Sequence, residues 1–134
     1  MMRAAAAATV WLPVLFMGTD VAAADEPLPE PSVTCNYNIT APQVVTVSGV
    51  SMVTVSVSSV GCQGLANPML MVACVAVAAG DPDQCQQRNG VGTAQTYRPY
   101  RPGATYIATG KGCASVAIPP SSICSALGPI SASL

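Results

Sequence analysis

The 134-residue chain has no histidine. That removes the commonest general base and the commonest metal ligand. Charge is nearly as scarce: charged residues are 8% of the sequence and the formal net charge is −1 at pH 7. Such a chain builds neither a basic field for nucleic acid nor a polybasic patch for an anionic membrane. Trp11 and Phe16 both precede residue 25, so the only aromatics beyond it are Tyr37, Tyr97, Tyr100 and Tyr106. A core must then come from Val, Ala, Ile, Leu and Met, which bury less area each than aromatics do. There is no Cys-x-x-Cys, so neither a dithiol redox site nor a zinc site has its usual spacing.

What is present begins with a leader. Arg3 supplies a positive start, residues 4 to 18 are uncharged and apolar, and Ala22-Ala23-Ala24 fits a signal-peptidase site. The apolar run is short of the roughly 20 residues that span a bilayer and contains Pro13. Residues 1–24 are therefore expected to be a cleaved signal peptide. Residues 25–34 are expected to be a Pro-rich acidic extended arm, because Asp-Glu-Pro-Leu-Pro-Glu-Pro over residues 25 to 31 disfavours both helix and ladder pairing. Residues 35–134 are left as one domain. The expected destination is outside the cell, with no membrane insertion after cleavage.

Six cysteines follow the leader: Cys35, Cys62, Cys74, Cys85, Cys113 and Cys124. An even count in an exported chain points to disulfides. Spacing alone leaves the pairing open; neighbour pairing, Cys35–Cys62, Cys74–Cys85 and Cys113–Cys124, is preferred, with the last two closing hairpin-like loops. Each bridge adds about 3 kcal/mol for a loop of about 15 residues, which suits a core of small side chains.

The remaining pattern is strand-like. Val45 and Val47, then Val53, Val55 and Val57, alternate with Thr46, Ser48, Thr54, Ser56 and Ser58, as in half-buried strands, with Gly49 marking a turn or bulge. Met69 to Ala79 is apolar on both faces and is expected to be a central strand or a short buried helix. Gly80-Asp81-Pro82-Asp83 and Arg88-Asn89-Gly90-Val91-Gly92 are expected turns. Thr93 to Tyr97, Thr105 to Thr109 and Ala114 to Ile118 are short strand candidates, and Lys111, between Gly110 and Gly112, is expected in a solvated turn. The pattern predicts an all-β fold, a small sandwich.

Arg101-Pro102-Gly103-Ala104-Thr105-Tyr106-Ile107 resembles the Pro-Gly-x-x-Tyr corner of fibronectin type III domains. The resemblance implies an Ig-like β-sandwich in which the Tyr106 hydroxyl bonds back to nearby backbone and Pro102-Gly103 turns the chain. The chain departs from the immunoglobulin pattern in having no core tryptophan and in placing Cys113 seven residues past the tyrosine rather than two. The Ala, Val, Gly, Ser, Thr and Pro bias resembles that of exported proteins of high-GC bacteria such as actinobacteria. It is also similar, in composition only, to their enediyne-carrying chromoproteins.

Few residues offer chemistry. Tyr97-Arg98-Pro99-Tyr100-Arg101-Pro102 repeats Tyr-Arg-Pro. In a polyproline-type conformation Tyr97 and Tyr100 would share one edge and Arg98 and Arg101 the next, giving stacking, cation–π and carboxylate-pairing groups together. Asp81 and Asp83 are too few oxygens for calcium, and no histidine is present to activate a serine. Met52, Met69 and Met71 are candidates for core or for an apolar pocket. Asn38-Ile39-Thr40 is a sequon that would matter in a eukaryote. The expectation is a secreted, non-enzymatic, monomeric interaction module without metal or cofactor, binding an extracellular protein or glycan through Tyr97, Arg98, Tyr100 and Arg101. The alternatives are a carrier of a small apolar ligand and a small protease inhibitor.

Overall fold

The structure is a computed structural model that describes residues 32–134; the expected leader, and the expected arm as far as Pro31, lie outside the described residues. The strands, in chain order, are β1 (Thr34–Ile39), β2 (Gln43–Val47), β3 (Val50–Gln63), β4 (Ala66–Val77), β5 (Gln84–Asn89), β6 (Ala94–Pro99), β7 (Thr105–Val116) and β8 (Ser121–Ser133). No helix occurs among the described residues. The last residue assigned to the arm, Thr34, is already strand.

Two antiparallel sheets result. In sheet A, β1 and β2 follow each other along one edge of β3, and β6 pairs with the other edge. Thr40 keeps the register between β1 and β2: its N–H donates to the Ser56 carbonyl and its hydroxyl accepts from the Ser56 N–H, both at 3.0 Å. Sheet B has the order β5-β4-β7-β8. The sheets pack face to face, with Val53, Val55 and Val57 of β3 against Met71, Ala73, Val75 and Val77 of β4 and Tyr106 and Ala108 of β7. This is an all-β sandwich. The core holds one aromatic fully buried, Tyr106, among small aliphatics, as the composition demands.

The bridges join Cys35–Cys62, Cys74–Cys85 and Cys113–Cys124. Each links residues directly opposite on neighbouring strands, β1 with β3, β4 with β5 and β7 with β8. Each cysteine thus pairs with its neighbour in sequence, and two of the bridges staple hairpins.

Several segments differ from their expected form, for identifiable reasons. The β2–β3 turn is Ser48-Gly49, with φ of 50° and 79°, the two positive values of the tight hairpin turn that suits twisted strands. It sets Val44 opposite Val53 and Val45 opposite Met52. Because side chains alternate, Val45 and Val47 lie on the outer face of sheet A, whereas Val53, Val55 and Val57 lie inside. The alternation was continuous in sequence but changes face across the hairpin.

Gly110-Lys111-Gly112 is no turn: it lies within the single strand β7. A Cβ at Gly110 would sit 2.6 Å from Val57 Cγ2 and 2.9 Å from the Val72 carbonyl oxygen, and one at Gly112 would meet the Tyr37 ring. These glycines mark close approach between sheets rather than a reversal. Arg88 and Asn89 likewise belong to β5 and not to the turn after it. Finally, β4 is apolar in sequence on both faces, but only Met71, Ala73, Val75 and Val77 are buried; its other face is half-exposed.

Candidate functional site

Tyr106 has the corner geometry. Its ring is fully buried at the start of β7. Its hydroxyl donates to the Pro99 carbonyl at 3.1 Å and accepts from the Arg101 backbone N–H at 2.7 Å. Pro99 ends β6 in sheet A and Tyr106 belongs to sheet B, so one phenol ties together the two sheets where the chain crosses between them. Pro102 and Gly103 make the turn in between, and Gly103 has φ of 81°.

The Tyr-Arg-Pro repeat does not form a three-residue turn. Residues 97 to 99 are the end of strand β6, so the period is two and neighbours alternate faces. Arg98 points inward. Its side chain is only 12% exposed and bonds the Pro82 carbonyl at 2.6 Å and the Val75 carbonyl at 3.4 Å. Its other nitrogen lies 3.5 Å from the Asp81 carboxylate. Arg101 pairs with the same carboxylate oxygen at 3.1 Å, but its side chain is 64% exposed. Tyr100 packs against the core, and Tyr97 faces outward. The four residues proposed to act together are therefore divided: Arg98 fastens the β4–β5 connection to β6 and Tyr100 packs against the core, while Tyr97 and Arg101 meet solvent. A guanidinium so little exposed that bonds two backbone carbonyls is a structural group, since a hydrogen bond from a charged donor contributes about 1.5–3 kcal/mol.

Tyr97 has neighbours that the motif did not suggest. On the outer face of sheet A, Val45, Met52 and Pro99 form one cross-strand row, with Val47 and Val50 opposite each other beside it. Val50 is 57% exposed and Val47 and Tyr97 about 40%. Arg98 is the only charged residue in β1, β2, β3 or β6, and it points inward. The outer face of sheet A is thus an uncharged surface with an apolar patch at one end and hydroxyl and amide groups at the other. Below Tyr97, Gln95 donates to the Thr54 hydroxyl, which donates to the Thr96 carbonyl, each at 3.0 Å. The only sequence signal for the patch was Tyr97 itself, because the valines become neighbours only through the hairpin register.

Two grooves lie at the opposite end. One, of about 710 Å³, is lined by Val33, Val116, Ile118, Pro119 and Ile123 with the hydroxyls of Ser32 and Ser121. No charged residue among the described residues lines it. The other, of about 450 Å³, is polar and lined by Gln86, Gln87, Arg88, Asn89, Thr93 and Gln95 together with Ala94. Of the methionines among the described residues, Met71 is core, Met52 lies in the outer patch and Met69 is exposed; none of the three lines either groove. The hydroxyl of Tyr37 is buried without a hydrogen-bond partner, and burial pushes its phenol above the ordinary tyrosine range. Among the described residues no three His, Cys, Asp or Glu side chains come together in a way that would hold a metal ion. Comparison with family models, with curated proteins and with solved structures gives no match to this chain.

Proposed function

We propose that the protein is an exported, non-enzymatic binding module that holds a protein partner outside the cell on the outer face of sheet A. The carrying observation is the uncharged patch of Val45, Val47, Val50, Met52, Tyr97 and Pro99, in which Val47, Val50, Tyr97 and Pro99 are exposed and Val45 and Met52 half-buried. An apolar centre with an aromatic anchor is the usual anatomy of a protein interface; here Tyr97 is the anchor. The expected leader and three disulfides support a location outside the cytoplasm.

The module belongs, on this reading, to the Ig-like and fibronectin type III kind of sandwich. Lettered in that order, the β1–β2 edge, β3 and β6 stand as A, B and E. Strands β4, β7 and β8 stand as C, F and G, with β5 as C′. The Tyr106 corner at the start of β7 supports the same assignment.

The test is photo-crosslinking from position 50 of the exported protein, on the surface of the cells that secrete it. A discrete crosslinked partner is expected from the wild-type background and is expected to disappear in Tyr97→Ala. Undiminished crosslinking in a folded Tyr97→Ala protein would remove the patch from the account. The uncharged apolar groove beside Ile118 favours a second reading, a carrier of a small neutral apolar ligand, since ligand clefts are apolar and roughly 300–1,000 Å³. Native mass spectrometry separates the two: a reproducible extra mass lost on denaturation supports the carrier, and a bare chain mass removes it.

A further inference from the structure

A strand at the edge of a sheet leaves half of its backbone N–H and C=O groups without a ladder partner, and folded proteins blunt such edges with charge, proline, bulges or shortness. Three of the edges here are blunted among the described residues. The β1–β2 edge is interrupted by a register shift at Asn36–Tyr37 and by Thr40–Pro42. Strand β5 has six residues and carries Arg88. Strand β6 closes over it, the Thr96 hydroxyl donating to the Gln84 carbonyl at 3.2 Å. Strand β8 is different. It carries no charged residue, and its Pro129 lies beyond a stretch, Ser121–Leu127, that pairs with β7 without interruption.

The register of that stretch fixes which groups are free. The Cα atoms of Cys113 and Cys124 are 4.1 Å apart. Narrow antiparallel pairs of this kind are the ones that do not exchange hydrogen bonds; hydrogen-bonded pairs are near 5.5 Å. The N–H and C=O of Cys124 therefore turn away from β7, and by the two-residue period so do those of Ser122 and Ala126. All three residues are exposed. Their side chains are small or tied into the bridge, so among the described residues nothing bars another backbone from this edge.

We infer that the Ser121–Leu127 edge of β8 is a self-association surface. It pairs antiparallel with the same stretch of a second copy about a two-fold axis through Cys124. In that register Cys124 faces Cys124, and Ser122 faces Ala126 of the partner subunit in both directions. All three are hydrogen-bonded pairs, giving on the order of six backbone hydrogen bonds. The two copies of sheet B become one continuous sheet, an isologous contact of the commonest kind. No charge opposes a like charge anywhere along the stretch. This surface is separate from the Tyr97 patch and does not depend on it.

The experiment is analytical ultracentrifugation of the exported protein from low to high micromolar concentration. A concentration-dependent dimer is expected. Ser122→Glu with Ala126→Glu opposes like charges in both directions and is expected to weaken self-association about tenfold or more. Ser122→Lys with Ala126→Glu opposes Lys to Glu and is expected to restore it. Both positions are exposed, and the thermal midpoint of each diluted variant checks that the fold is intact. In wild-type protein, the amides of residues 122, 124 and 126 should exchange slowly when concentrated and quickly when dilute. A monomer at every concentration overturns the inference. A dimer that the Glu-Glu variant leaves unchanged also overturns it, by placing the contact elsewhere.

Discussion

At one end of the sandwich the β4–β5 and β6–β7 connections are bound to each other. Asp81 bridges Arg98 and Arg101, Arg98 reaches the Pro82 and Val75 carbonyls, and Tyr106 holds Pro99 and Arg101. At the other end the β3–β4 and β7–β8 connections meet through the backbone bond from Ala117 N–H to the Leu65 carbonyl, at 3.0 Å. There Leu65 is 63% and Ile118 72% exposed. The first end pairs its charges with each other; among the described residues the second has none beside its apolar groove. Two of the three disulfides, Cys35–Cys62 and Cys113–Cys124, lie towards the second end, within a few residues of the ends of β3 and β7. Covalent staples are concentrated where non-covalent ties are few. A motif rich in tyrosine and arginine can thus be a fastening, while an end without any motif stays open to a ligand.

The largest expected effect is on the staples. Cys74–Cys85 and Cys113–Cys124 have the same sequence separation, 11, so loop entropy assigns each about 3 kcal/mol. Replacing either pair by alanine is expected to lower stability by a similar amount in denaturant titration. The local response should differ. Loss of Cys113–Cys124 should speed hydrogen exchange over Val116–Ile123 much more than loss of Cys74–Cys85 speeds it over Val77–Gln84. Equal acceleration would erase the contrast between the ends.

Next comes the contact between the ends. Gly110→Ala places a methyl 2.6 Å from Val57 Cγ2 and 2.9 Å from the Val72 carbonyl oxygen, and overpacking of this kind costs about 1–3 kcal/mol. An alanine variant as stable as wild type would show that the sheets are less tightly apposed than described. Tyr106→Phe keeps the ring and removes both corner hydrogen bonds. The Pro99 carbonyl and Arg101 N–H then lose their partner, for about 1–2 kcal/mol in denaturant titration.

The parts of the fold that could be read in the sequence are those where burial writes a pattern. Val53, Val55 and Val57 alternate with hydroxyl residues because one face is core and the other is not. Tyr106 could be read because a Pro-Gly turn four and three residues before a buried tyrosine is a local arrangement. Strands β1, β5 and β8 are not legible as strands in the sequence: β5 and β8 are dominated by Gln, Asn, Ser and Ala, and β5, exposed throughout, has no buried face to write a period, while β1 alternates Cys35, Tyr37 and Ile39 with Asn36 and Asn38 over only six residues. Gly110 and Gly112 signalled a turn by type and a close sheet contact in fact, a distinction that depends on Val57 and Tyr37, far away in sequence. Of the candidate site, the sequence puts Tyr97, Arg98, Tyr100 and Arg101 on one surface, and only Tyr97 and Arg101 are exposed. The division of Tyr97 from Tyr100, and of Arg98 from Arg101, followed only from the strand continuing through Pro99. The apolar groove joins Ser32 and Val33 to residues 116–123 and has no local signature at all.

The central claim is that Arg98 is a structural fastening while Arg101 is an exposed ion pair, although both touch Asp81. Thermal and denaturant unfolding of Arg98→Ala and Arg101→Ala, measured side by side, tests it most directly. Arg98→Ala should cost about 1–3 kcal/mol, because the Val75 and Pro82 carbonyls lose their donor. Arg101→Ala should lie within about 0.5 kcal/mol of wild type, the usual scale for an exposed ion pair. Equal losses, or a larger loss from Arg101→Ala, would contradict the account.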